Sequence, residues 1–174
     1  MKKIVISIGG SLINPGKLNL EVKEIESGIV FETKDFLIEA LPMKHSSPCL
    51  AYSFIEKDKI RIDKNKLKKL HLQPLQIKEL IEKKVLNTDK KVVNLSSISY
   101  KEKGKKITII LDTGVNPNAY LLAKDSDLLI CEATYSEKEK DLAKEYSHLT
   151  ASQSAEIAKK ANVKRLILTH LSQR

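Results

Sequence analysis

The chain has 174 residues, which is enough for one domain with a hydrophobic core and little more. Apolar residues make up 41% and charged residues 30% of the chain, as is typical of a soluble globular protein. Lysine and arginine outnumber the acidic residues by 31 to 22, and the net charge of +9 suits a polyanionic partner such as a nucleic acid. With no Trp and three Phe, an aromatic platform for stacking bases is not expected.

The two cysteines, Cys49 and Cys131, exclude a disulfide framework and a C-x-x-C zinc knuckle. Two free thiols fit a reducing cytoplasm, which we take as the expected location. No apolar stretch approaches the length of a membrane span, so no membrane partner is expected.

Residues 1–16 predict an apolar strand followed by a turn rich in Gly, Asn and Pro. The start imitates a signal peptide, but Gly9 and Gly10 interrupt the apolar run and no cleavage site follows. Three further strands are predicted at 29–31, 36–41 and 50–54, with breaks at Pro42 and Pro48.

Residues 56–106 differ in character, because they are dense in lysine and show helical spacing at 66–70 and 75–85. This stretch predicts a basic helical arm that projects from the core. The chain then alternates between short aliphatic runs at 107–111, 128–130 and 166–168 and helical segments at 119–124, 137–146 and 150–161. Strands that alternate with helices at this spacing indicate βαβ units, a parallel sheet and an α/β class.

Each predicted strand of this region leads to a functional side chain. Asp112 follows the run at 107–111, Glu132 follows 128–130, His170 follows 166–168, and His45 comes after the strand at 36–41. Because ligands gather at the carboxyl ends of parallel strands, these groups are candidates for binding a metal or for acid–base catalysis. The alternatives are that Asp112 caps a turn, Glu132 pairs with a lysine and His45 is a loop histidine.

His148 stands two residues before Thr150, which is a good N-cap for the helix that follows. A helix N-terminus favours anions, so a histidine there can meet a phosphate or protonate a leaving oxygen. His71, within the lysine-rich stretch, is expected to be structural, and Cys131 is expected to be a small buried residue at a strand end.

Several motifs in register resemble those of the ribonuclease Z family. Residues 24–31 with 42–45 and 48–52 resemble its third histidine motif, and Asp112-Thr113-Gly114 resembles its metal-bridging aspartate. Residues 131–135 resemble the "HEAT" motif, with Cys131 in place of its first histidine, and 148–150 resemble the "HST" motif. Residues 168–174 resemble the terminal "LTHIS-x-R" motif. The resemblance runs from about residue 17 to residue 174.

The resemblance implies a metallo-β-lactamase fold, an αββα sandwich, of which residues 17–174 carry mainly the C-terminal half. It also implies a zinc-dependent endoribonuclease that processes the 3′ ends of precursor tRNA with two zinc ions. The basic stretch at 56–106 takes the place of the family's tRNA-gripping arm, although the family's Gly-Pro signature is absent there.

By the same resemblance, His45, Asp112 and His170 are expected to be metal ligands, with Asp112 bridging the two ions. Glu132 would orient His148, and His148 would donate a proton to the leaving 3′-oxygen. Ser172 and Arg174 would lie near substrate phosphates.

The family's H-x-H-x-D-H motif, which supplies most metal ligands, does not occur in this sequence. We therefore expect a homo-oligomer or a complex with a complementing N-terminal half. One alternative function is a catalytically inactive RNA-binding remnant. Another is a fragment of a nucleotide kinase, because residues 3–13 also resemble the glycine-rich start of uridylate kinase-like proteins of the amino-acid kinase family.

Overall fold

In a computed structural model, residues 25–88 and 91–172 are described. They form two compact units, one from residues 25–56 with 105–172 and the other from Lys57–Gly104. The strand and glycine turn expected at residues 1–16, the kinase-like resemblance at 3–13 and the candidate Arg174 lie outside the described residues.

The elements follow one another along the chain in a mixed order of strands and helices. They are β1 (Gly28–Glu32), β2 (Phe36–Met43), β3 (Cys49–Glu56), β4 (Lys59–Ile62), α1 (Lys64–Lys68), α2 (Pro74–Lys83), β5 (Val85–Asn87), β6 (Val92–Asn94), β7 (Ser99–Glu102), β8 (Lys106–Ile110), α3 (Pro117–Ala123), β9 (Leu128–Glu132), α4 (Lys140–Glu145), α5 (Ala151–Lys160) and β10 (Leu166–Thr169). Short 3₁₀ turns lie at Leu95–Ile98 and Glu137–Glu139.

A six-stranded sheet in the order β1-β2-β3-β8-β9-β10 forms the centre of the first unit. Strands β1, β2, β3 and β8 pair antiparallel, whereas β8, β9 and β10 are parallel. The two parallel connections pass through α3 and through α4 with α5, as the alternation in the sequence predicts. The carboxyl ends of β8, β9 and β10 therefore meet at one edge of the sheet.

Helices α3 and α5 pack against each other and against the sheet. The core between them is aliphatic and closely buried, with Ile110, Leu122, Leu129, Leu149 and Ile157 all at most 1% exposed. Helix α5 begins at a capping box, in which the Thr150 hydroxyl accepts from the Gln153 backbone and the Gln153 side chain accepts from the Thr150 backbone.

The α/β class is confirmed, and the fold is partial. The described part of the chain holds one large sheet, where the expected αββα sandwich has two. Among the described residues, no helix combines the length and the apolar composition that a membrane crossing needs.

The second unit has a small core of its own, formed by Leu80, Leu86, Val93, Leu95 and Ile98. Its helices α1 and α2 agree with the helical spacing of the sequence. Its two small sheets, β4 paired with β7 and β5 paired with β6, are not what the sequence predicts. These strands have three or four residues each, too few to show a clear alternation of apolar and polar positions.

Asp127, just before β9, forms hydrogen bonds and ion pairs with residues at the N-terminal ends of β8 and β10. Its carboxylate accepts from the Lys164 ammonium at 2.7 Å, from the Lys106 backbone N–H at 3.0 Å and from the Lys105 ammonium at 3.4 Å. The hydrogen bond from Lys164 and that from the Lys106 backbone lower the pKa of Asp127 to about 2.

We predict that Asp127→Asn lowers the free energy of unfolding at neutral pH by about 1 kcal/mol, since the lysine partners are exposed and partly screened by solvent. The folded-state pKa lies below the unfolded value of about 3.9, so this stabilisation is complete above that value and is lost as the pH falls through about 2. Urea unfolding measured from pH 7 to pH 2 should show the free energies of unfolding of wild type and Asp127→Asn converging.

Glu145→Gln, which removes an exposed carboxyl of α4, is the control. A difference that stays constant with pH would contradict the assignment.

Candidate functional site

The candidate residues converge at the edge of the sheet where the parallel strands end. Asp112 comes two residues after β8, Glu132 is the last residue of β9, and His170 directly follows β10. The rings of His45 and His148 have centroids 5.0 Å apart, and those of His148 and His170 are 5.5 Å apart. The structure thus brings these predicted side chains together, and their roles stay predictions.

Glu132 is fully buried, and its carboxylate accepts hydrogen bonds from four groups. The backbone N–H groups of Thr113 and Leu149 donate to it at 2.5 and 3.1 Å. The Thr134 hydroxyl donates at 2.6 Å, and Nδ1 of His148 lies 3.0 Å from Oε2 and 3.1 Å from Oε1. A buried carboxylate needs such compensation, and among the described residues it comes from these four donors and not from a lysine, in contrast to the alternative of a lysine pair.

The bond to Glu132 fixes the tautomer of His148, whose side chain is 15% exposed. Because a carboxylate only accepts, Nδ1 of His148 carries the hydrogen. The other nitrogen, Nε2, then keeps its lone pair. The centroid of the Tyr135 ring, which is 7% exposed, lies 6.1 Å from that of the His148 ring.

His45 is held in the same manner by a backbone carbonyl. Its Nδ1 lies 3.2 Å from the oxygen of Ser147, so Nδ1 donates and Nε2 keeps its lone pair. Ser147 has a φ of 59°, in the left-handed region, and precedes His148 directly. The turn at Ser147 thus sets the chain direction at His148, and its carbonyl holds the ring of His45.

Asp112 and His170 form the more open side of the site, with side chains 46% and 49% exposed. Both have a left-handed backbone, with φ of 45° and 57°, which is uncommon outside glycine and typical of functional turns. Oδ1 of Asp112 lies 3.5 Å from Nδ1 of His170. The Asp112 backbone carbonyl accepts from the Cys49 thiol at 3.1 Å.

Asp112, His148 and His170 each offer a ligand atom within 4.8 Å of the others, a spacing that a metal ion can bridge. The resemblance assigned His45, instead of His148, to the metal ligands; the His45 ring lies against that of His148, and the division of roles among the three histidines stays a prediction. Imidazole and carboxylate donors suit zinc.

Neither cysteine adds to this set of donors. Burial raises the pKa of Cys131 to about 12, and burial together with the charge of Asp112 raises the pKa of Cys49. Both thiols are therefore protonated at neutral pH. Cys131 is fully buried, as the sequence predicts for a small residue at a strand end.

Thr134 is the site residue that the sequence analysis missed. Its hydroxyl lies between Glu132, His148 and His170. Its carbonyl accepts from the backbone N–H of Ser172 at 3.1 Å, which brings that candidate beside the site. The motif at 131–135 contained the signal, but a threonine after an apolar strand looks like an ordinary strand residue.

The N-terminus of α5 is not an open anion site. The Thr150 hydroxyl donates to the carboxylate of Glu137 at 3.0 Å, and hydrogen bonds from Thr150 and Ser152 lower the pKa of Glu137. The chain itself supplies the anion that the helix N-terminus favours. His71 lies exposed in the second unit.

Comparison with known proteins identifies relatives of this arrangement. The ribonuclease Z of Protochlamydia amoebophila is 40% identical over 149 residues, which are 86% of this chain and 49% of the relative. The ribonuclease Z of Chlamydia pneumoniae is 38% identical over 149 residues, which are 86% of this chain and 48% of the relative. The chain thus spans about half the length of the curated relatives it matches. No protein-family model matches it.

Solved structures agree with these relatives. The short form of human tRNase Z superposes with a TM-score of 0.55 and 28% identity, covering 86% of this chain and 41% of that one. A metallo-β-lactamase fold protein from Bacillus subtilis superposes with a TM-score of 0.53 at 16% identity, covering 91% of this chain and 46% of that one, and shows the fold alone. These matches support a relationship to ribonuclease Z of the metallo-β-lactamase superfamily, over about half of the length of the relatives.

Proposed function

We propose that this chain provides one half of a metal-dependent endoribonuclease that processes the 3′ ends of precursor tRNA. The observation that carries the proposal is the convergence of Asp112, His148 and His170 around the buried carboxylate of Glu132. The ribonuclease Z and tRNase Z names of the relatives give the substrate class.

Zinc is the metal that we propose for the site. His45, Asp112 and His170 would hold it, with Asp112 shared by two ions as the resemblance implies, and the nitrogen and carboxylate donors fit this metal. A bound zinc pair would polarise the phosphodiester and make the attacking water nucleophilic.

The chain's own residues would donate the proton that the leaving group needs. Glu132 holds Nδ1 of His148 and stabilises the charged imidazolium, so Nε2 can donate a proton to the leaving 3′-oxygen. The burial of Glu132 strengthens this interaction because little solvent screens it. Ser172, beside Thr134, would meet a substrate phosphate, and we propose the same role for Arg174.

The second unit would grip the RNA through its charge. Residues 57–104 contain 13 Lys, one Arg and six acidic residues, so they carry +8 of the chain's net +9. Such a concentration attracts phosphates and releases counterions.

The remaining metal ligands would come from a second polypeptide that carries the H-x-H-x-D-H motif, or from another arrangement of subunits. A homo-oligomer is the alternative to such a complementing half. We place the activity in the cytoplasm, in agreement with the free thiols of Cys49 and Cys131.

Metal affinity is the first quantity we predict for the site. In isothermal titration of the chain with Zn²⁺, Asp112→Asn and His170→Ala should each weaken binding by about tenfold or more, because each removes a ligand. His71→Ala is the matched control, since its ring is exposed in the second unit. Equal affinities for wild type and the Asp112 and His170 variants would argue against this metal site.

Cleavage tests the function itself. We expect a 3′-extended precursor tRNA to be cut, with added Zn²⁺ or Mn²⁺, when the chain is mixed with the part of the Protochlamydia relative that the match leaves uncovered. His148→Ala should reduce the rate by about 10²–10⁴-fold, the usual contribution of a general acid.

The uncovered part of the relative alone is the control for that mixture. No cleavage under any pairing, with both polypeptides folded, would contradict the proposal. Cleavage that His148→Ala leaves unchanged would contradict the role of His148.

A second candidate function, an inactive RNA-binding remnant, is favoured by the basic second unit alone. It predicts salt-sensitive tRNA binding that survives Asp112→Ala and His170→Ala. Loss of binding in both variants, with the fold intact, would exclude it.

For either function we predict that replacing Lys64, Lys66 and Lys68 of α1 by glutamine weakens tRNA binding. The plot of log affinity against log salt should become shallower by about one unit for each phosphate that the helix no longer neutralises. The matched control replaces the same lysines by arginine and should keep the slope. An unchanged slope in the glutamine variant would show that α1 does not bind the RNA.

A further inference from the structure

The hydroxyl of Thr134 lies among three polar groups of the site. Its Oγ1 is 2.6 Å from Oε2 of Glu132, 3.0 Å from Nδ1 of His170 and 3.4 Å from Nδ1 of His148. The roles proposed above make no use of this side chain.

The position of one hydrogen decides what Thr134 does. A hydroxyl has one hydrogen to donate and lone pairs to accept with. The Glu132 carboxylate can only accept, and its contact with Thr134 is the shortest of the three, so the hydroxyl hydrogen points to Glu132. If it pointed to His170 instead, two oxygens would face each other at 2.6 Å with no hydrogen between them.

The ring of His170 must therefore supply the hydrogen of its own contact with Thr134. Nδ1 of His170 donates to Oγ1, and this nitrogen also faces Oδ1 of Asp112 at 3.5 Å, which favours an N–H there as well. Nε2 of His170 is then the nitrogen with a free lone pair.

We propose that Thr134 is a positioning residue that fixes the tautomer of His170. Its hydroxyl hydrogen is donated to Glu132, so its oxygen can only accept a hydrogen from Nδ1 of His170. One buried carboxylate thereby sets two histidines, His148 directly and His170 through a hydroxyl. The contact with the Ser147 carbonyl holds His45 in the same tautomer. All three imidazoles therefore have the free lone pair on Nε2. The effect on catalysis rests on the proposed function, whereas the tautomer does not.

The tautomers can be read directly from ¹⁵N-labelled histidines in the whole chain. Long-range ¹H–¹⁵N correlation spectra are recorded at pH ~8, above the ordinary histidine pKa of ~6.5. A nitrogen with a bare lone pair resonates well downfield of a protonated one. We expect Nδ1–H for His170 and His148 in the wild type.

Thr134→Val keeps the shape of the side chain and removes the hydroxyl. We expect His170 to lose part of its Nδ1–H population to the Nε2–H form, since only the 3.5 Å contact with Asp112 then favours Nδ1–H, while His148 keeps Nδ1–H through its direct bond to Glu132. Thr134→Ser, which keeps the hydroxyl, should restore the wild-type pattern for His170. His71, exposed in the second unit, should not change in either variant and is the internal control.

The proposal is overturned if His170 is Nε2–H in the wild type, or if its Nδ1–H population is unchanged in a folded Thr134→Val variant. If that variant does not fold, because Glu132 loses one of its four donors, the wild-type spectrum and Thr134→Ser still decide. In the cleavage assay, Thr134→Val should lower the rate or the metal affinity by about 10–100-fold, with rescue by serine. Since the spectra need neither RNA nor metal, a failure of the proposed function would leave their result intact.

Discussion

The buried carboxylate of Glu132 is the interaction on which the rest of the site depends. Taking a carboxylate out of water is costly unless donors replace its hydration, and here donors come from three separate loops. Each donor belongs to a neighbour of a functional residue. Thr113 follows Asp112, Leu149 follows His148, and Thr134 contacts His170. The requirement to satisfy one charge therefore brings the candidate ligands and the candidate acid to one place.

The sheet supplies the frame for this network. Strands β8, β9 and β10 run parallel, so their ends present Asp112, Glu132 and His170 at one edge, and the left-handed backbone at Asp112 and His170 turns the chain there. The opposite ends are joined by the ion pairs of Asp127. The net charge is divided in a different way, since residues 57–104 carry almost all of it. In the function we propose, the first unit carries the chemistry and the second the affinity for RNA.

Much of this was predictable from the sequence, because the aliphatic runs and the residues that follow them signal both the parallel strands and the site. His45, Asp112, Glu132 and His170 were singled out in this way, and His148 by its place before the helix cap Thr150. The short strands of the second unit were not, since three or four residues give no clear period. Thr134 was missed because its role comes from hydrogen bonds between loops far apart in sequence. Glu137 was missed at the start of α5 because no pattern links it to Thr150.

The most direct test of the central claim is Glu132→Gln in precursor tRNA cleavage by the chain together with a polypeptide carrying the H-x-H-x-D-H motif. The change keeps the shape of the side chain but places an NH₂ group against donors that need an acceptor. The account predicts a rate reduced by about 10²-fold or more in a folded protein, because His148 loses its partner. Cleavage at the wild-type rate would mean that Glu132 does not organise the site, and the account would be wrong.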